Sequence, residues 1–337
     1  MTEVPTQAVT IYEVAARAGV SPATVSRVLN GARVSAESTR LVRTAAAELG
    51  FTPNRTARRL RGRTSAVIAL LIPDIENPFF TALARGVEDR ARAAGYSVVL
   101  CNTDEDPARE STYLAIALAE HMAGVILAPA RDVSDIGALV ASRRPVVAVD
   151  RGLARLDIDA VTVDNRAGGR TAAELLLAAG HTRVACITGP RGVETAQQRL
   201  EGWRKATGAA DDLVRYADYR VSGGRAAMAD LLGLAEPPDA AVVTNNLMAA
   251  GALEALHEAG LRTPDFGLAV LGDLPFGSFG QRGVQVVDLP ARELGAAAAG
   301  LLLARLDGDD GPARTVVLHT GTLRPGTLHP GAGRMAR

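Results

Sequence analysis

From residue 66 onward, short runs of branched apolar residues recur at intervals filled by helical patterns, and this rhythm restricts the fold more than any other feature. The runs are AVIALLI (66–72), YSVVLC (96–101), GVILAP (124–129), PVVAVD (145–150), RVACIT (183–188), AAVVT (240–244) and FGLAVLG (266–272). Amphipathic stretches near 79–94, 107–120, 166–179, 195–206 and 247–259 lie between them. Strands apolar on both faces and spaced by helices are buried under helical layers, the pattern of parallel sheets in βαβ units. A chain of 337 residues has room for a small head and two such lobes, since domains commonly run to about 100–150 residues. Sheets of this kind bind ligands at the carboxyl ends of their strands, so the residues just after each run are the expected site.

The first 64 residues are of another kind. VTIYEVAARAGVSPATVSRVLNG (9–31) reads as two short helices with a tight turn at Gly19, a helix-turn-helix whose second helix enters the DNA major groove. Thr10 and Glu13 have capping-box spacing, and Ser21–Pro22 read as an N-cap and first helical residue. Ile11, Val14, Ala15 and Ala18 share one face, as do Val25, Val28 and Leu29. Packing those faces together leaves Ser21, Ala23, Thr24, Arg27 and Asn30 outward, with Arg27 suited to a guanine edge or a phosphate. A plain helical hairpin with a solvated face carries the same pattern, and charge weighs between the two. Residues 1–64 hold ten arginines against four glutamates, a net of +6 on a chain of zero net charge, so the other 273 residues carry −6. A basic head on an acidic body is the footprint of nucleic-acid binding.

PNRTARRLRGR (53–63) allows a helix only to about Arg61, too short to stand alone in water, with Arg55, Arg58, Arg59 and Arg61 repelling one another along it. Such a segment folds when phosphates neutralise it. Leu60, apolar among arginines, is either a wedge for the minor groove or a residue packed onto the head.

From about Thr10 to about Pro325 the chain is similar to the LacI/GalR (lactose-repressor) family of bacterial transcription regulators, whose headpiece VTIYEVAARAGVSPATVSRVLNG and VSAESTRLVRTAAAELGFTPNRTARRL resemble. The resemblance implies that Thr10, Tyr12, Ser21, Thr24, Ser26, Arg27, Asn30, Ser35 and Asn54 contact DNA phosphates or bases. It places Pro22 and Ala23 at the positions that vary with operator sequence, and Ala57 and Leu60 at the hinge-helix positions that enter the minor groove. It also implies a two-lobed core like the periplasmic sugar-binding architecture, with an effector held between the lobes. The effector residues are then Asp74, Phe79 and Phe80 of PDIENPFF, Arg151, Thr195 and Arg199 of TAQQRLEGW, and Asn245–Asn246. An Asp can accept sugar hydroxyls and an Arg offers bidentate donors. The phenylalanines either stack on a sugar ring or are plain core. One departure stands out: Val270-Leu271-Gly272-Asp273 replaces a GFDD-like tetrapeptide, putting Gly where the family's Asp holds the effector. Either Asp273 takes over, or the pocket recognises something different.

The expected organisation is α/β: a helix-turn-helix headpiece at 1–52, a hinge helix or linker at 53–64, a core at 65–325 and a loose tail at 326–337. Within the core, the two lobes of parallel sheets flanked by helices are expected at roughly 65–164 plus 291–320, and 165–290 plus 321–325. The expected function is a cytoplasmic repressor, a homodimer on a pseudo-palindromic double-stranded DNA operator, switched by a small-molecule effector such as a sugar or derivative. The alternatives are a sugar-binding receptor and an enzyme on a doubly wound fold. The basic head and the lack of a charged-then-apolar leader disfavour the first; the lack of HExxH, Walker and GxGxxG motifs disfavours the second. The five histidines are scattered, so neither metal nor cofactor is expected. Cys101 and Cys186 fall in predicted strands as packed thiols, which fits a reducing compartment. No run reaches transmembrane length, so no membrane partner is expected.

Overall fold

The computed structural model describes residues 10–29, 34–49, 51, 65–130, 134–153, 156–274 and 283–323, in two compact units divided between Ser65 and Ala66. Asn30, Asn54, Ala57, Leu60, the segment 53–64 and the tail 326–337 lie outside the described residues, as do the side chains of Ser26 and Leu29.

The first unit holds α1 (Ile11–Ala18), α2 (Pro22–Leu29) and α3 (Ala36–Glu48). Helices this short do not persist alone, so their ends are capped and their faces buried. Thr10 and Glu13 form the expected capping box: the Thr10 N–H donates to the Glu13 carboxylate at 2.6 Å and the Glu13 N–H to Thr10 Oγ1 at 3.4 Å. Gly19 ends α1 in the left-handed region (φ 66°), returning its N–H to the Ala15 and Ala16 carbonyls. Ser21 Oγ accepts the Thr24 N–H at 3.1 Å and opens α2. Val14, Val25 and Val42 meet at the centre, fully buried, with Ala15, Ala18, Val28 and Ala45 around them.

The second unit opens with β1 (Val67–Ile72), α4 (Pro78–Ala93), β2 (Ser97–Asn102), α5 (Pro107–Ala119), β3 (Gly124–Leu127), α6 (Gly137–Ala141), β4 (Val146–Asp150) and β5 (Asp159–Val163). It continues with α7 (Asn165–Ala178), β6 (Val184–Thr188), α8 (Glu194–Thr207), β7 (Val214–Tyr216), α9 (Val221–Leu232), β8 (Ala240–Val243), α10 (Asn246–Glu258), β9 (Gly267–Leu271) and β10 (Val284–Asp288). Last come α11 (Ala291–Leu306), β11 (Thr315–Leu318) and β12 (Gly321–Leu323). The strands form two sheets, β11-β5-β4-β3-β1-β2 and β12-β10-β9-β8-β6-β7, parallel throughout except where β12 runs against β10. Each sheet is the centre of one lobe, and the expected pair of parallel-sheet lobes is what forms. The chain passes between lobes after β5, after β10 and after β11.

The runs at β1, β3, β4, β6, β8 and β9 are buried along nearly their whole length. YSVVLC is the exception: as an edge strand it leaves Val99 and Leu100 at 41% and 36% exposure rather than buried on both faces. The helices pack closely at reciprocal glycines. A Cβ on Gly169 of α7 would lie 2.0 Å from the Arg199 carbonyl oxygen of α8, and one on Gly202 of α8 would lie 2.1 Å from that of Arg166. Among the described residues, no helix is long and apolar enough to cross a membrane.

Candidate nucleic-acid interface and ligand cavity

In the head, burying the apolar faces of α1 and α2 turns a small polar set outward. Tyr12 is 64% exposed, a large aromatic with no internal packing to explain it, and Ser21, Pro22, Ala23 and Arg27 are exposed beside half-buried Thr24. Thr10, Ser21 and Ser35 each stand at a helix N-terminus, where unpaired N–H groups and the helix dipole favour a phosphate. Their hydroxyls already cap the helices, so they serve the fold as well. Arg17 is held by Glu48 at 2.6 Å.

In the second unit, the carboxyl ends of both sheets converge on one cavity of about 130 Å³. That is below the roughly 300 Å³ at which drug-sized pockets begin, and suits a ligand of monosaccharide size. The first lobe supplies Asp74, Asn77, Phe79 and Phe80 after β1, Glu105 after β2, and Asp150–Arg151 at the end of β4. The second supplies Thr195 and Arg199 of α8, Asp218, Tyr219 and Arg220 after β7, Asn245–Asn246 at the start of α10, and Gly272 after β9. The Phe79 and Phe80 rings meet edge to face with centroids 5.1 Å apart, so Phe80 is buried core while half-buried Phe79 finishes an apolar wall.

Charge is tightly arranged here. Arg151 is 6% exposed; its guanidinium grips both Glu105 oxygens at 2.7 and 2.6 Å and donates to the Pro129 carbonyl at 3.0 Å. Burial by itself favours the neutral guanidine, but Glu105 more than offsets it, and the group's pKa is raised. Arg199 donates to Asn165 Oδ1 and to the Thr244 carbonyl, both at 2.7 Å. Asn165 opens α7 where the chain first crosses between lobes, so the cavity is tied directly to that crossing. Asp150 is buried with one oxygen, Oδ1, lacking any hydrogen-bond partner. Burial pushes its carboxyl pKa up despite nearby Arg151 and Arg199. Arg220 reaches from the second lobe to Asp104 (2.7 Å), Glu76 (3.7 Å) and Asp74 (3.8 Å) of the first, and Asp104 holds it protonated. Glu194 crosses the same cleft to the Gly152 N–H at 3.2 Å.

The backbone is strained around this site. Among the described residues, six other than glycine have positive φ, and four of them, Asp104, Glu105, Asp150 and Tyr219, line the cavity or adjoin it. Each costs about 1–3 kcal/mol and persists only where its surroundings over-determine it.

Asp74, Phe79, Phe80, Arg151, Thr195, Arg199, Asn245 and Asn246 thus meet around one space. Asp273 stands just beyond the lining: its carbonyl accepts from Asn246 Nδ2 at 3.3 Å, and Gly272 faces the cavity in its place with φ 99°. Sequence reasoning missed Glu105, Asp218, Tyr219 and Arg220: the strand-end rule applies after β2, but three-residue β7 carries no apolar run to flag the residues that follow it.

Two family models match the chain: bacterial regulatory proteins of the lacI family over residues 10–54, and the periplasmic binding proteins and sugar binding domain of the LacI family over 65–319. A ribose operon repressor of Halalkalibacterium halodurans is 38% identical over 307 residues, covering 88% of this chain and 90% of that one. The Lac repressor solved with ONPG in its repressed state matches with a TM-score of 0.83 at 28% identity, over 94% of this chain and 99% of that one. A LacI-family regulator of Enterococcus faecium solved with bound ribose matches at a TM-score of 0.70 and 27% identity, over 77% and 97%. With both the DNA-binding head and the two-lobed core matched in one polypeptide, the chain belongs to the LacI family of bacterial regulatory proteins and is a DNA-binding transcription regulator.

Proposed function

We propose that this regulator is a cytoplasmic homodimeric repressor whose operator affinity is set by a monosaccharide held in the cavity between its lobes. The observation that carries this reading is the cavity itself, of about 130 Å³, walled by aromatic rings and furnished from both lobes with carboxylates, guanidiniums and amides. Asp74 and Asp150 supply acceptors for hydroxyl groups, Arg199 and the Asn245–Asn246 pair supply donors, and Phe79 supplies an apolar face. A relative named for a ribose operon and a neighbour solved with ribose favour a pentose. On the DNA side, Tyr12, Pro22, Ala23 and Arg27 read bases or flank them, while Thr10, Ser21, Thr24 and Ser35 hold phosphates. The exposed apolar residues Val99 and Leu100 of the edge strand β2 offer a face for a second copy.

The test is titration of pentoses and hexoses against the purified protein, read by its unfolding midpoint and by the fluorescence of Trp203, the chain's single tryptophan, which sits on the Arg199 helix. A ligand at a hundred times its Kd stabilises by about 2.7 kcal/mol, a rise of a few degrees for a unit of this size. The same sugar changes affinity for a selected operator duplex by about 5–150-fold. A panel that moves neither readout overturns the assignment.

A further inference from the structure

Resting on the reading of the cavity as a sugar site, we propose that Glu105 determines specificity there: it occupies the anion-binding fork of Arg151, so that the cavity admits neutral sugars and rejects phosphorylated or carboxylated ones. A buried arginine in a ligand cavity is normally the group that seizes a phosphate or carboxylate, through two parallel N–H···O bonds. Arg151 makes that pair of bonds to Glu105, at 2.7 and 2.6 Å. The carboxylate therefore stands where a ligand anion would stand. It is also the more accessible partner, its side chain 34% exposed against 6% for Arg151, so an entering anion meets Glu105 before the guanidinium.

The turn that delivers Glu105 is fixed for the purpose. Asp104 and Glu105 are consecutive residues in the left-handed region, φ 55° and 56°, which neither side chain prefers. Thr103 anchors the turn from below through its N–H to the Ile72 carbonyl at 2.8 Å, and Asp106 closes it with its N–H on the Thr103 carbonyl at 3.0 Å. Asp106 then caps α5 through the Ala108 N–H. The result aims one carboxylate at Arg151 and its neighbour at Arg220.

The remaining cations offer no alternative seat. Arg199 is bonded to Asn165 and Thr244 and faces the Asp150 carboxylate, and Arg220 is surrounded by Asp104, Asp74 and Glu76. Asp218 adds a fourth carboxylate to Asp74, Glu105 and Asp150 in the lining, against the three arginines. A further negative charge enters a cavity already balanced or acidic, and like charges brought together without water repel strongly.

The experiment uses the full-length protein, wild type and Glu105→Ala, with D-ribose, ribose 5-phosphate and inorganic phosphate as probes and potassium chloride at matched ionic strength as the control. Isothermal titration and the unfolding midpoint are the readouts. The wild type is expected to bind the phosphate ester at least about thirtyfold more weakly than the neutral sugar, and not to respond to phosphate. Glu105→Ala frees the fork and is expected to gain a midpoint rise with phosphate and with the ester. Glu105→Ala/Arg151→Gln is expected to lose that gain. Wild type binding ester and sugar equally overturns the proposal, as does a folded Glu105→Ala that ignores phosphate. If Glu105→Ala is unstable alone, its refolding by phosphate and not by chloride supports the proposal, and Glu105→Gln replaces it in the titrations. If the wild type binds no sugar at all, the sugar reading fails, while the phosphate response of Glu105→Ala still decides the role of Glu105.

Discussion

The two lobes share one strand order, with β1–β5 and β6–β10 occupying equivalent places, yet they furnish the cavity with opposite chemistry. At the end of β4 the first lobe holds Asp150, buried in a left-handed conformation at φ 66°, followed by Arg151. At the equivalent end of β9 the second lobe has Gly272, which adopts φ 99° without strain and carries no charge. After β2 come Asp104 and Glu105; after β7, Tyr219 and Arg220. The first lobe's lining is thus net acidic and the second's net basic, so the cavity balances its charge across the cleft, while Arg151 and Glu105 pair within the first lobe. Repeating a fold fixes where a site lies, and the residues at its strand ends fix what each half contributes.

Arg199→Ala should break this complementarity most severely. It leaves Asn165 Oδ1 and the Thr244 carbonyl without their charged donor, a loss of about 3–5 kcal/mol for two buried hydrogen bonds to a charged group. Calorimetry should show a much lower midpoint and no sugar-dependent rise; a sugar response of wild-type size would rule out the assigned role.

At the opposite ends of the sheets the lobes agree, and acid should expose the agreement. Asp159 before β5's core receives Arg305 through two bonds, at 2.8 and 2.9 Å, and the Arg314 N–H; Asp239 before β8 receives Thr182 and Arg183. Burial works to raise both carboxyls, but these donors outweigh it and hold both below the ordinary range. Their stabilisation is therefore complete above the unfolded value of about 3.9 and is lost as pH falls through the lower folded values. Asp159→Asn and Asp239→Asn should each cost about 1.5–3 kcal/mol at neutral pH and flatten the acid limb of a stability–pH curve. An unchanged acid limb in both variants would remove these residues from the account.

Arg220→Ala should be milder, because the side chain is 38% exposed. Losing its reach across the cleft should weaken sugar binding by about 3–10-fold, and the remaining affinity should depend less on salt than that of the wild type. Equal salt slopes would show that Arg220 does not bridge the lobes in solution. The smallest effect, and the one of opposite sign, belongs to Asp150→Asn. The raised pKa means that Asp150's neutral form suits the fold, so wild-type stability declines as pH rises from the unfolded value through the folded one. Asn carries no charge and tolerates the left-handed region better. The unliganded variant should be more stable at pH 7 by about 0.5–1 kcal/mol while binding sugar less tightly. A less stable Asp150→Asn would mean that Arg151 and Arg199 need its charge.

Where side chains act locally, sequence was a good guide. Thr10–Glu13, Gly19 and Ser21 announce the head's caps through neighbours three or four residues away. The runs at β1, β3, β4, β6, β8 and β9 announce central strands because both faces are covered. The weaker elements gave no such signal. β7 is only three residues long, and α11, rich in Ala and Leu, has no polar stripe because it packs on β3, β4 and β5 as well as on α4. Glu105 and Arg220 escaped for a related reason. Their roles depend on partners 46 and 116 positions away, Arg151 and Asp104, which no local spacing brings together.

The order of strands has a consequence for how the chain is made. Gly86 of α4 and Gly295 of α11 lie so close to the partner helix that a Cβ on either would sit 2.0–2.1 Å from a carbonyl oxygen, and β11 pairs with β5. The first lobe's sheet and helical layer thus wait for residues 291–318, which leave the ribosome after every parallel strand of the second lobe. The lobe synthesised first therefore cannot finish folding until nearly all of the second has been made. Until then its nascent chain carries an uncovered helix face and an open sheet edge, the surfaces that chaperones engage.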